Sequence, residues 1–308
     1  MQETRIQVVE ALAEGPVAGP DLADRLGVSR AAVWKHIEEL REVGFEIASG
    51  DNGYELRSVP EFGPAVAFGL DAPFDIEYHD SIDSTNRRAR DLVAAGREPV
   101  VVVADEQTGG RGRLDRTWAS PGGGIWLSVL VRPEVPAAHA PVYTLAAAVA
   151  TTRAVREAGV EASIKWPNDV LVGGRKLAGI LTEMEGEADR IEWLVVGIGL
   201  NANVDPGEVP AEGVTSLRAE RGDVDRRVLT QRLLEEFDHL HRNHGAVLPA
   251  WREYADTLGR RVRVETGGRT VEGEAVGIEF PGTLEIDTGD GTVTVAAGDC
   301  EHLRPTGE

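Results

Sequence analysis

Cysteine, lysine and long apolar runs are what this 308-residue chain has least of. A single cysteine, Cys300, excludes an intrachain disulfide and any metal site built from several thiolates, and burial is its expected state. The strongest apolar stretches, such as 193–200, fall far short of the roughly 20 residues that a membrane span needs. Met1-Gln2-Glu3-Thr4 begins no signal peptide, so a soluble, cytoplasmic protein with no membrane partner is expected. The net charge is −20. Two explanations stand side by side: a carboxylate-rich surface kept hydrated in high salt, where repulsion is screened, or an ordinary acidic protein.

Lysine occurs three times against 29 arginines, and two of the three, Lys165 and Lys176, stand eleven residues apart. An ammonium is a compact, rotatable point charge suited to oxygens in a tight site, whereas a guanidinium is a planar fork. The pair therefore marks a candidate anion site.

Three segments follow one another. Residues 1–58 read as helix, helix, helix, hairpin, with Ile6, Val9, Leu12 and Ala13 inward in the first helix and Gly15-Pro16 ending it. Gly19-Pro20-Asp21 opens the second helix, Ser29 caps a third over 30–43, and 45–47 and 54–56 alternate around a Gly-rich turn. This is a winged helix-turn-helix pattern, in which Ser29, Arg30, Trp34 and Lys35, with Arg41, are placed to meet DNA. The segment holds six basic and eleven acidic side chains, which gives little counterion release on phosphate and leaves a packing or dimerisation role open. After a linker over 59–64, residues 65–255 alternate helix and strand patterns, an α+β organisation whose strands fall at 100–104, 125–131, 180–185 and 191–198. Helices are expected over 86–95, 142–158 and 228–244. Short β runs over 261–264, 270–280, 283–287 and 292–296 then predict a small barrel in 257–308.

Four stretches carry chemistry. Glu106-Gln107-Thr108-Gly109-Gly110-Arg111-Gly112-Arg113 offers free backbone N–H groups beside two fixed cations, suited to a nucleotide phosphate or else a solvated turn. Its spacing matches neither the P-loop nor the dinucleotide fingerprint. Trp118 downstream either covers a bound base or belongs to the core. Lys165-Trp166-Pro167-Asn168-Asp169 supplies a cation, a rigid turn and a carboxylate, with Asp169 a magnesium ligand or a turn-former and Asn168 expected to bond its own backbone. Gly197-Ile198-Gly199-Leu200-Asn201 lets a ring approach the backbone, and Ser84-Thr85-Asn86 adds polar groups at a helix start, where ordinary capping explains them equally well. No histidine has metal-ligand spacing, and His239, His241 and His244 are expected in solvent. No protein-held metal is expected.

Taken in order, Ser84-Thr85-Asn86, Gly109 to Arg113, Lys165 to Asp169, Lys176-Leu177-Ala178-Gly179-Ile180-Leu181 and Gly197 to Asn201 resemble the motifs of biotin protein ligases across nearly the whole chain. Leu26 to Ala32 resembles the bifunctional members, which also repress biotin synthesis genes. The resemblance implies a class II synthetase-like central domain and an SH3-like C-terminal barrel. It implies that biotin and ATP, with Mg2+, form biotinoyl-AMP, and that a lysine of a biotin carboxyl carrier protein domain then takes the biotin. By that likeness Ser84, Thr85, Asn86, Gln107 and Arg111 hold biotin, with Gly112, Gly179, Gly197 and Gly199 beside them. Arg113 and Lys165 meet the carboxylate and phosphates, and Trp118, Asn168, Lys176 and Asn201 complete the nucleotide side. Operator DNA and a homodimer are the other expected partners. One departure stands out: where the family commonly repeats glycine-arginine, this chain has Leu114-Asp115-Arg116, and Asp115 adds negative charge and removes backbone freedom. A ligand-responsive transcription factor without chemistry and a lipoate-type ligase are the alternatives.

Overall fold

The structure, a computed structural model, describes residues 3–209 and 211–303. Helices α1 (Glu3–Ala13), α2 (Gly19–Leu26) and α3 (Arg30–Glu42) precede a hairpin of β1 (Glu46–Gly50) and β2 (Gly53–Ser58). Gly27, at φ 65, ends α2, and the Ser29 hydroxyl accepts from the Ala32 amide at 3.2 Å to start α3. The core of this domain takes Val8, Val9, Ala11 and Leu12 from α1, a one-residue shift from the expected stripe, since Ala13 is exposed and Ile6 half-buried. Gly53 is required: a Cβ there would lie 2.2 Å from the Val17 carbonyl oxygen, where the wing pairs back onto residue 17.

The segment expected as a plain linker, 59–64, is packed through Phe62, which is buried in the core of the next domain; just beyond it Ala65 is buried in the winged-helix core and Val66 in the core of the next domain. Glu61 in the same segment binds Arg226, whose guanidinium also reaches Asp105 at 2.5 Å and lies 4.2 Å over the Phe62 ring.

The central domain runs β3 (Asp75–Ile82), α4 (Thr85–Ala94), β4 (Val100–Gln107), β5 (Ile125–Val131), α5 (Pro141–Glu157), β6 (Ser163–Lys165), β7 (Asp169–Val172), β8 (Arg175–Glu187) and β9 (Arg190–Leu200). Helices α6 (Leu217–Arg221), α7 (Arg226–Arg242) and α8 (His244–Tyr254) follow. The strands form one seven-stranded sheet in the order β3-β4-β5-β9-β8-β7-β6, antiparallel except for β3 with β4. The four consecutive valines of β4 are explained by its two covered faces. Val101 and Val103 join the main core with α5, and Val100 and Val102 pack with Ala89 and Leu92 of α4 on the other side.

The C-terminal strands β10 (Arg261–Glu265), β11 (Thr270–Glu279), β12 (Thr283–Asp287), β13 (Thr292–Val295) and β14 (Asp299–His302) form an antiparallel sheet in the order β13-β12-β11-β10-β14. The strands β13 and β14 stand at its two edges in the hydrogen-bonded order. Among the described residues no helix is long and apolar enough to cross a membrane.

Candidate active site

One cavity of about 620 Å³ opens between the start of α4, the end of β4, the segment after it, and the middle of β8 and β9. Ser84 caps α4 through the Arg87 amide at 3.4 Å, which places Thr85 and Asn86 in the cavity wall with only 3% and 8% exposure. The Gln107 side-chain oxygen accepts from the Thr85 amide at 2.8 Å and the Thr85 hydroxyl at 3.0 Å, and its nitrogen donates to Ser120 at 3.0 Å. Asn86 donates to Glu183 at 2.7 Å, and the buried Ser128 hydroxyl lies 2.6 Å from Asn86 Oδ1 and 2.7 Å from Thr85 Oγ1. Gly197 makes room for Asn86, whose Oδ1 would lie 2.2 Å from a Cβ at that position. Ser84-Thr85-Asn86 is thus a cap and part of a polar wall at once.

Residues 107–120 form a hairpin and not an open turn. Gln107 bridges to Ser120 and Arg111 to Thr117, and the Gly112 amide donates to the Arg116 carbonyl at 2.8 Å. A Cβ on Gly110 would lie 2.4 Å from the Trp118 carbonyl oxygen, so that glycine serves the closure of the hairpin itself. Arg111, Gly112 and Arg113 all line the cavity. The Arg113 guanidinium is aimed by two acceptors, Asn168 Oδ1 at 3.0 Å and the Gly298 carbonyl of the C-terminal sheet at 2.7 Å. Arg116 pairs with Asp299 at 2.6 Å. The Asp115 side chain lies outside the described residues. Its neighbour Leu114 sits at φ 55 with 72% exposure, a left-handed conformation that costs a leucine about 1 kcal/mol. The resemblance puts a glycine near this point.

Trp118 lies across the glycines of the two central strands. A Cβ on Gly199 would come within 2.5 Å of its Nε1, and one on Gly179 within 3.2 Å of its ring. The Lys176 ammonium stands 5.0 Å from the indole centroid and 2.6 Å from Asp169 Oδ1. Lys176, Asp169, Asn168 and Asn201 line the cavity with Trp118; Lys165 does not. Lys165 ends β6 between the buried Ile164 and Trp166, faces Asp169 in the β6–β7 register, and lines a neighbouring groove with Asp256, Arg260 and His302. Asn168 donates to the Ile180 carbonyl at 2.9 Å and accepts from Arg113, so it positions that arginine and does not turn on its own backbone as expected. Asn201 is 1% exposed and donates to the Thr215 carbonyl at 3.1 Å, tying down the segment whose Val209, Glu212 and Val214 close one side of the cavity. Sequence reasoning missed Ser128, Glu183, Glu212 and Asp299. Only Glu183 had a signal, as the first acid after the apolar run that ends at Leu181.

The geometry has counterparts. Residues 78–201 match the biotin/lipoate A/B protein ligase family, 257–303 the biotin protein ligase C-terminal domain, and 4–55 a helix-turn-helix domain. The bifunctional ligase/repressor BirA of Bacillus subtilis is 39% identical over 303 residues, covering 92% of this chain and 93% of that protein. The chain belongs to the biotin protein ligase family. The bifunctional ligase/repressor BirA of Escherichia coli is 29% identical and covers 97% of each chain. A biotin protein ligase from Aquifex aeolicus, solved in complex with biotin and ATP, matches with a TM-score of 0.64 and 26% identity over 74% of this chain and 99% of that one.

The helix-turn-helix match covers the winged helix of this chain. On α3 Trp34 is 58% exposed and Arg30 and Lys35 are exposed, although Lys35 lies 3.7 Å from Glu39. Arg41 is withdrawn from the expected DNA set: it donates to the Ile47 carbonyl at 2.6 and 2.9 Å, to Ser49 at 2.9 Å and to Glu38 at 2.6 Å, clamping α3 to the wing. Two of the histidines expected in solvent are also relocated. His241 stacks on Phe237 at 5.1 Å and His244 meets Tyr143 edge-on at 5.0 Å, and burial holds both below the usual imidazole range. Cys300 is buried, which pushes its thiol up to about 11.

Proposed function

We propose that the protein joins biotin to ATP and transfers the biotinoyl group to a lysine of a biotin carboxyl carrier protein domain, while its winged helix represses transcription by binding operator DNA as a homodimer. The observation that carries the reading is the gathering, around one cavity, of a polar wall for a ring, a hairpin with Arg111 and Arg113, and the Lys176 ammonium beside Trp118.

In the first step a carboxylate oxygen of biotin attacks the α-phosphorus of ATP, the bond to the bridging oxygen breaks, and pyrophosphate leaves with the electron pair. Charge builds on the phosphate oxygens, where fixed cations lower the barrier because they need no reorganisation. Arg113, held by Asn168 and Gly298, and Lys176, paired with Asp169, are the groups positioned for this. In the second step the amine of the carrier lysine attacks the acyl carbon of the mixed anhydride, loses a proton, and AMP departs. The anhydride is sensitive to water, and the 107–120 hairpin with the 209–214 segment bounds the cavity that shelters it. Magnesium enters as part of the MgATP substrate. Among the described residues no cluster of three or more His, Cys, Asp or Glu is arranged for a metal.

Pyrophosphate release with ATP plus biotin, ATP plus lipoate and ATP alone separates the readings. Biotin-dependent release is expected. Release with lipoate in its place marks a lipoate ligase, and release with neither marks a ligand sensor without chemistry.

A further inference from the structure

The polar wall of the cavity is a chain of hydrogen bonds whose direction is fixed at both ends. At one end the Thr85 backbone N–H can only donate, so the Gln107 atom 2.8 Å away is oxygen. The Thr85 hydroxyl, 3.0 Å from that same oxygen, must then spend its one proton there and can only accept elsewhere. At the other end one side-chain atom of Asn86 lies 2.7 Å from Glu183 Oε2 and 3.4 Å from the Leu181 carbonyl oxygen. Both neighbours can only accept, so that atom is the amide nitrogen and Oδ1 faces Ser128. Ser128, 0% exposed, therefore has a single proton to share between two acceptors, Thr85 Oγ1 at 2.7 Å and Asn86 Oδ1 at 2.6 Å. At this point of the wall two acceptors compete for one proton, which leaves one of them able to accept from a bound ring. Arg90 holds the second oxygen of Glu183 at 3.1 Å, which anchors the carboxylate that sets the whole chain.

We infer that Glu183 is a positioning residue that makes this wall accept N–H donors, and so selects a ring bearing N–H groups over one that has none. The inference rests on the biotin-ligase reading: the cyclic urea of biotin carries two N–H groups, and the dithiolane ring of lipoate carries none. Glu183 acts through Asn86 and does not touch the reacting carboxylate. A glutamine in its place can offer either an oxygen or an amide to Asn86. The Asn86 amide is then free to turn, and the polarity of the wall is no longer fixed.

The test is steady-state pyrophosphate release by the full chain carrying Glu183→Gln, Glu183→Asp or neither, with biotin as substrate and lipoate as competitive inhibitor. In Glu183→Gln the KM for biotin is expected to rise about tenfold, the equivalent of one hydrogen bond at about 1.4 kcal/mol. The kcat and the inhibition constant of lipoate stay within about twofold, because lipoate makes no use of the acceptors. Glu183→Asp keeps an acceptor-only group and stays within about threefold of the unsubstituted protein. An unchanged biotin KM in Glu183→Gln overturns the inference. So does a parallel shift of the biotin KM and the lipoate constant, or a fall in kcat alone, since each marks a merely structural role. Loss of folding in Glu183→Gln, read as a collapsed thermal transition, leaves Glu183→Asp to decide: a tenfold rise there with kcat intact contradicts the claim that acceptor character matters. If the unsubstituted protein releases no pyrophosphate with biotin, the function itself has failed and not the role of Glu183.

Discussion

The ligand cavity and the groove beside it share Asp169 and Lys176, yet only one of two neighbouring lysines in the sequence reaches the cavity. The cause is position in the sheet. With Ile164 and Trp166 buried in the core, Lys165 is turned to the face of Asp169 and Gly179, its neighbours in register, but it stands on the edge strand β6, beside the groove. Lys176 would by the same alternation stand opposite Gly179. The β7–β8 register slips between Val170 and Leu171, so that Leu171 pairs with Lys176 and Val170 with Ala178, leaving Leu177 as the extra residue. Leu177 and Ala178 are both fully buried, and the bulge swings Lys176 onto the face of Gly179 and Trp118. A rare ammonium marks the region, and the bulge brings Lys176 onto the face that Lys165 already occupies.

Several measurements can break or sharpen this contrast. The largest effect outside the lysines is expected at the hairpin. Arg113→Ala lowers kcat/KM for biotin-dependent pyrophosphate release by about a hundredfold or more, as expected for removal of a preorganised cation. Asn168→Ala, which frees one of the two acceptors aiming Arg113, costs about tenfold. If the two losses are equal, Asn168 does more than orient; if Asn168→Ala is silent, Gly298 alone fixes the arginine. On the winged helix, Trp34→Ala is expected to weaken binding to a duplex from a biotin-synthesis promoter by about fivefold with ligation unchanged. Unaltered DNA affinity would remove Trp34 from the interface.

The smallest effect concerns pH and stability. His241 and His244 are held below the usual value of 6.5 by burial, so the folded state binds fewer protons than the unfolded state. Their contribution is complete above the unfolded value and is lost as pH falls from about 6.5 through the folded values. Glu77 titrates separately: burial would raise it, but hydrogen bonds from Arg88 and His79 hold it at about 2, so its loss begins only below about 4.5. The Tm should therefore fall by a few degrees between pH 7 and 5. His241→Phe, which keeps the stack on Phe237 and cannot titrate, should make that branch shallower, with His244 and His302, also held low by burial, keeping the rest. An equal slope in both proteins would move the titration elsewhere.

Much of the architecture was legible because it rests on local patterns. The strand over 125–131 matches β5 in full, Ser29 and Ser84 cap the helices they precede, and the valine run of β4 is buried as its composition implies. What was not legible depends on pairing across long separations. Strands β6 and β7 are three and four residues long, too short to show a period. The β14 strand has one buried residue, Cys300, among polar neighbours. The contribution of Gly298 and Asp299 to the cavity brings together positions more than 180 residues apart. The aromatic packing of His241 and His244 was hidden by the charged residues around them on α7 and α8.

We propose that the ammonium nearest the reacting phosphates belongs to Lys176, which lines the cavity, and that Lys165, which lines the adjoining groove, acts from farther away. Biotin-dependent exchange of labelled pyrophosphate into ATP, with no carrier present, isolates the first step. Lys176→Ala is predicted to lose about a hundredfold or more of that exchange and Lys165→Ala less than about tenfold. The reverse order, with Lys165→Ala inactive and Lys176→Ala near normal, would contradict the account.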